Sequence, residues 1–186
     1  MKKISFSKII PALILWVTAL AAVPASAAYT LVWSDEFSNF NSANWTHQTG
    51  DGCSLGICGW GNSEMQIYRA SNSSIVSEAG AEGTALRIQM TREGGQLYSS
   101  RLVTQGKIQI RRGRIEARMK RPYGTGLWPA FWMLGTQGGA WPANGEIDIM
   151  ENRGNQPNLT SSAFHYGTNP PFNHQFRFSE QTTAKF

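Results

Sequence analysis

The sequence predicts an all-β antiparallel sandwich, on three observations. Most segments alternate apolar and polar residues, Gly, Asn or Pro separates them, and nothing after Ala27 holds a sustained helical period. Many short alternating strands with frequent turn signals make two packed sheets rather than a helical or α/β domain.

The first element stands outside that sandwich. "MKKISFSKIIPALILWVTALAAVPASA" carries lysines at 2, 3 and 8, an apolar stretch from Ile9 to Val23 and a small-residue cleavage site at Ala25-Ser26-Ala27. It reads as a secretory signal peptide over residues 1–27, with a secreted chain starting at Ala28, rather than as a membrane anchor. The 17 lysines and arginines against 12 acids fall to 14 against 12 once Lys2, Lys3 and Lys8 leave. A nearly neutral remainder gives little support to a nucleic-acid partner and suits an uncharged or weakly charged substrate.

Residues 28–186 suffice for one core, and no linker or repeat divides them. The predicted strands, in order, are "YTLVWSDEF", "SSIVSEAG", "GTALRIQM", "LYSSRLVT", "KIQIRRGRIEARMKR", "LWPAFWML", "GEIDIMEN", "TSSAFHYG" and "HQFRFSE". In the fifth, Ile115, Ala117 and Met119 share one face and Arg114, Glu116, Arg118 and Lys120 the other. In the sixth, Trp128 and Trp132 share strand parity, and Pro129 argues for an edge or a bulge. The Gly-rich loop "GDGCSLGICGWGN" holds the two cysteines, Cys53 and Cys58, which form either a small-loop disulfide or a pair of thiols. A structural zinc site is not supported, because no histidine pair accompanies them.

The seventh segment carries the chemistry. Glu146, Asp148 and Glu151 interrupt an otherwise apolar run, and burying an ionised carboxylate costs several kcal/mol unless it is paired or hydrogen-bonded. On a regular strand Glu146 and Asp148 share a face and Glu151 points away. One extra residue, a β-bulge at Ile149 or Met150, swings Glu151 back. The two glutamate backbones then stand roughly 13 Å apart at about 3.3 Å per residue. Side chains leaning together can close that to the roughly 5–5.5 Å of a retaining glycosidase. Asp148 lies between them, where its charge can push the two glutamate pKa values apart. Trp128, Trp132 and Trp141 precede the acids and serve either as core fillers or as platforms for sugar rings. Calcium fits the trio poorly, since it takes six to eight oxygens and no Asp/Asn-rich loop adjoins the strand. An incidental solvated face would not call for the tryptophans.

"GEIDIMEN", together with "LVWSDEF", "GWGNSEMQIY", "YSSRLVTQGK", "GRIEARMKRPYGTGLWPAFWMLG" and "AFHYG", resembles glycoside hydrolase family 16 in its laminarinase-like branch. The resemblance implies a jelly-roll sandwich of two curved sheets, concanavalin A-like, with a β-glucan polysaccharide in the concave cleft. It implies Glu146 as nucleophile, Glu151 as general acid/base, Asp148 as their electrostatic assistant and His165 beside the acid/base. It places Asn62, Arg101, Trp128, Trp132 and Trp141 along the sugar cleft. No cofactor takes part in catalysis, and Glu36 matches a ligand of a structural calcium on the convex side whose acidic partner comes from the far C-terminus. The implied protein is a secreted, monomeric endo-β-1,3-glucanase with no nucleic-acid or membrane partner. Its alternatives are a mixed-linkage glucanase, an agarose or carrageenan hydrolase, or a non-catalytic glucan-binding module. In the family several strands follow the position of "NHQFRFSEQTTAKF". The jelly roll expected within Phe186 is therefore incomplete, with unpaired strand edges, poor solubility and little activity.

Overall fold

Eleven strands and three short 3-10 helices make up the regular structure among the described residues of the computed structural model, which describes residues 29–167 and the backbone of 174–181. The segment read as a signal, 1–27, lies outside the described residues. Asp35–Phe186 forms one compact unit, and residues 29–34 carry no strand. The strand expected over "YTLVWSDEF" is therefore absent. Asp35 instead closes a turn, its carboxylate accepting from the Phe37 backbone N–H at 2.9 Å and from Trp45 Nε1 at 2.8 Å. These local bonds compete with a ladder.

The strands are β1 Thr46–Gln48, β2 Ile67–Tyr68, β3 Ser73–Ser77, β4 Thr84–Ile88, β5 Thr91–Glu93, β6 Gln96–Ser99 and β7 Arg101–Val103. They are followed by β8 Ala130–Leu134, β9 Glu146–Asn152, β10 Leu159–Tyr166 and β11 His174–Gln181. They pair as β1 with β7, as β3 with β4, as a three-stranded sheet β2-β6-β5, and as a four-stranded sheet β11-β10-β9-β8. All pairs are antiparallel except β2 with β6. The all-β class is as expected. Three strands, β1, β2 and β5, were not anticipated; after β5, Gly94 and Gly95 both adopt positive φ and join Glu93 to Gln96 in a two-residue hairpin turn.

"KIQIRRGRIEARMKR" forms no strand, although Ile115 and Met119 are more buried than their neighbours. Alternation supplies a dry side but not a partner, and this segment has no ladder among the described residues. Side chains tether it instead: Lys120 pairs with Glu78, and Arg118 with Glu82 at 3.3 Å. Such exposed pairs contribute little to stability.

The four-stranded sheet positions the acids. Phe131, Met133, Ile147, Phe164 and Tyr166 point to one face; Ala130, Trp132, Glu146, Asp148, Ser161, Ala163 and His165 point to the other. Burial is inverted relative to polarity. Asp148 is 5% exposed and Ala163 fully buried, whereas Ile147 and Phe164 are 38% and 45% exposed. The acid-bearing face is thus enclosed around Asp148, Glu151 and Ala163, while Leu134 at its end is 49% exposed and Met150 on the other face is 8% exposed.

Candidate active site

Three acids share that face because β9 carries one extra residue. Glu151 lies opposite Ala130 and Ser161, and Asp148 opposite Trp132 and Ala163. Two residues of β9, Ile149 and Met150, therefore stand against one on each neighbour. Phe131 pairs with Met150, which leaves Ile149 as the bulged residue, and the Ser162 hydroxyl donates to its carbonyl at 2.9 Å. The bulge falls at one of the two positions the spacing allows.

Each glutamate is held by an indole. Trp128 Nε1 donates to Glu151 Oε1 at 2.9 Å, and Trp141 Nε1 donates to Glu146 Oε2 at 2.9 Å. Both rings stay half exposed. Each tryptophan thus fixes a carboxylate with its N–H and leaves part of its ring to a ligand. Trp128 does not reach Glu151 through strand parity with Trp132. It precedes β8, since Pro129 has no N–H for the ladder. The Pro129 and Leu127 carbonyls accept from Asn152 and Gly154 and bring Trp128 alongside the end of β9. β8 is an edge strand of this sheet, as Pro129 suggested.

The β8–β9 loop that carries Trp141 closes tightly. The Gly135 N–H donates to the Gly145 carbonyl at 2.8 Å, and Asn144 Nδ2 donates to the Gly135 carbonyl at 3.0 Å. A Cβ at Gly135 would sit 1.7 Å from the Asn144 carbonyl oxygen, so only glycine fits.

His165 stands across β10 from Glu146, shares a 3.2 Å hydrogen bond between Nε2 and Asp148 Oδ2, and lies 5.5 Å from the Trp141 ring. It is grouped with Glu146 and Asp148, whereas the residue opposite Glu151 is Ser161; the expectation that it flanks Glu151 is corrected accordingly. Burial, then the Asp148 charge, pushes the Glu146 carboxyl above its ordinary range, while His165 and the Trp141 hydrogen bond oppose the shift. Asp148 acts on Glu146, its neighbour two residues away on the same face. A reaction needing ionised Glu146 then loses rate as pH falls through a value above the usual carboxylate range.

A family model described as "XgeA-like, catalytic GH16 domain" matches residues 63–185. The chain belongs to glycoside hydrolase family 16. A beta-glucanase of Rhodothermus marinus is 40% identical over 147 residues, covering 74% of this chain and 48% of that protein. A laminarinase structure from Flavobacterium sp. UMI-01 is 39% identical with a TM-score of 0.67, covering 82% of this chain and 64% of that one. A Bacteroides ovatus mixed linkage glucan GH16 structure, in complex with a G4G4G3G product, is 32% identical with a TM-score of 0.71, covering 83% and 65%. The chain spans between about a sixth and a little over half of the length of the curated relatives it matches.

The remaining candidates of this GH16 chain fall in three places. Arg101, on β7, reaches the acid face through Trp132, its guanidinium carbon 4.8 Å from that ring. Asn62 is exposed in the Gly-rich loop and donates to Glu64 at 3.3 Å rather than touching the acids. Cys53 and Cys58 are joined in a disulfide that closes this loop. Glu36 is exposed, and no group of three His, Cys, Asp or Glu ligands forms around it among the described residues. Among the described residues the one such group is Glu146, Asp148 and His165, with ligand atoms within 4.8 Å of one another.

Sequence reasoning missed Glu64 and Tyr68. The Tyr68 hydroxyl donates to Glu64 Oε2 at 2.6 Å, and burial together with Glu64 pushes the phenol well above its ordinary value. The signal was present in "GNSEMQIY", where Glu64, Gln66 and Tyr68 recur at strand parity.

Proposed function

We propose that this chain performs retaining endo-hydrolysis of β-1,3-glucosidic bonds in laminarin-type glucans, with Glu146 as nucleophile and Glu151 as general acid/base. The observation that carries the reading is the Ile149 bulge, which brings both glutamates to one face, each tied to a half-exposed indole.

In the first step a Glu146 oxygen bonds to the anomeric carbon as the bond to the leaving oxygen breaks, and the Glu151 proton moves to that oxygen. In the second, Glu151 takes a proton from water, the water oxygen bonds to the anomeric carbon, and the bond to Glu146 breaks. Two inversions give net retention. Asp148, hydrogen-bonded to His165, lies beside Glu146 and raises its pKa, which makes Glu146 a stronger base and nucleophile toward the anomeric carbon. Trp128 and Trp141 hold the two carboxylates at fixed orientations.

Laminarin is preferred as substrate because the Flavobacterium relative is a laminarinase and the acid strand has the six-residue spacing of that branch. Mixed-linkage glucan is the second reading, favoured by the product bound in the Bacteroides ovatus relative. Initial rates on laminarin and on lichenan separate them. Faster cleavage of laminarin is expected; much faster cleavage of lichenan would assign the chain to mixed-linkage glucan.

A further inference from the structure

Arg101 is held in a way that the fold alone does not require. Its Nε donates to Gln48 Oε1 at 2.7 Å, across the β1–β7 pair where the two residues stand opposite each other. The guanidinium carbon lies 4.7 Å from the Trp60 ring and 4.8 Å from the Trp132 ring, so the cation is flanked by indoles. Trp132 is the residue opposite Asp148 on the acid face. No carboxylate pairs with Arg101 among the described residues, and its two Nη groups, four N–H donors, have no hydrogen-bond partner there.

The wall behind it is rigid. Trp60 is 5% exposed, packs edge-on against Tyr68 at 5.4 Å, and donates from Nε1 to the Gly50 carbonyl at 3.2 Å. Its loop is closed by the Cys53–Cys58 bond and by Gly52, where a Cβ would meet the Ile57 carbonyl oxygen at 2.4 Å. A half-buried guanidinium with one nitrogen satisfied, two indole rings within 5 Å and four donors free is preorganised for neutral oxygen acceptors. Vicinal sugar hydroxyls and a ring oxygen are of that kind.

We infer that Gln48 is a positioning residue for sugar recognition: with Trp60 as its back wall, it locks the Arg101 guanidinium beside Trp132 so that the Nη donors meet a glucose unit bound next to the catalytic acids. This rests on the glucan-hydrolase reading above. Gln48 itself does not touch the sugar. Its effect passes through Arg101, and the free energy it supplies is the cost avoided of ordering a long side chain at binding.

The test is a double-mutant cycle on the purified protein with laminarin and lichenan as substrates, read as KM and kcat separately, with thermal unfolding alongside. Gln48→Leu should raise KM roughly tenfold, the loss of one hydrogen bond to a charged group, and leave kcat within about threefold. Gln48→Glu, which can still accept from Nε, should restore KM. Arg101→Lys should raise KM comparably, and the double variant should be no worse than Arg101→Lys alone, because both changes remove one interaction. An unchanged KM in Gln48→Leu, or single effects that multiply in the double variant, would overturn the inference while leaving the enzyme reading intact. A wild type inert on both glucans would instead contradict that reading and this inference with it.

Discussion

Glu151→Ala is expected to slow laminarin hydrolysis by about 10²–10⁴-fold, the usual contribution of a positioned proton donor. The loss should depend on the leaving group. An aryl glucoside whose phenol leaves without protonation should form the glycosyl-enzyme at nearly the wild-type rate, and added azide should then give a β-glycosyl azide. The basis is local: Glu151 is 7% exposed, reaches the acid face only through the Ile149 bulge, and is held by Trp128 Nε1 at 2.9 Å. Equal losses on both substrates would deny Glu151 the acid role.

Glu146→Gln should abolish turnover by several orders of magnitude and yet make the protein more stable at neutral pH. The sign follows from the raised Glu146 pKa. The folded protein binds that proton more tightly than the unfolded chain. The stability this confers is fully present below the ordinary value of about 4.3 and is lost as pH rises through the folded one. An ionised Glu146 carboxylate is disfavoured by its burial and by Asp148, and the neutral glutamine removes that cost. The melting temperature of Glu146→Gln should exceed that of the wild type at pH 7, and the gap should narrow as pH falls toward 4. A variant less stable than wild type at pH 7 would show that the Trp141 hydrogen bond and the charge of His165 outweigh burial and Asp148.

The carboxylate face was legible in the sequence because period-two alternation leaves one way for Glu146, Asp148 and Glu151 to share a side, an extra residue between the last two. What held those acids was not legible. Strand parity placed Trp128 beside Trp132, but Pro129 starts the ladder at Ala130 and leaves Trp128 free to turn its N–H to Glu151. His165 was assigned to the neighbourhood of Glu151 from the resemblance alone, while antiparallel register, invisible until strands pair, sets it opposite Glu146.

The same physics explains the fold-level differences. "KIQIRRGRIEARMKR" alternates as a strand should, but alternation reports a half-buried surface and not a partner, and none pairs with it here among the described residues. Gly94-Gly95 marked a hairpin turn beside a segment, "TRE", too short and polar to register as a strand by pattern. Gln48 lies 53 positions from Arg101 on a three-residue strand, and nothing local in either segment announces the pairing.

The central claim is that Glu146, on a bulged strand shared with Glu151, forms the covalent bond to the sugar. A 2-deoxy-2-fluoro glucan oligosaccharide with a dinitrophenolate leaving group should accumulate the glycosyl-enzyme, and peptide mapping by mass spectrometry locates the attachment. The account predicts one adduct, on Glu146 of the peptide containing "GEIDIMENR". An adduct on Asp148 or Glu151, or turnover without any adduct and with an α-anomer as first product, would contradict it.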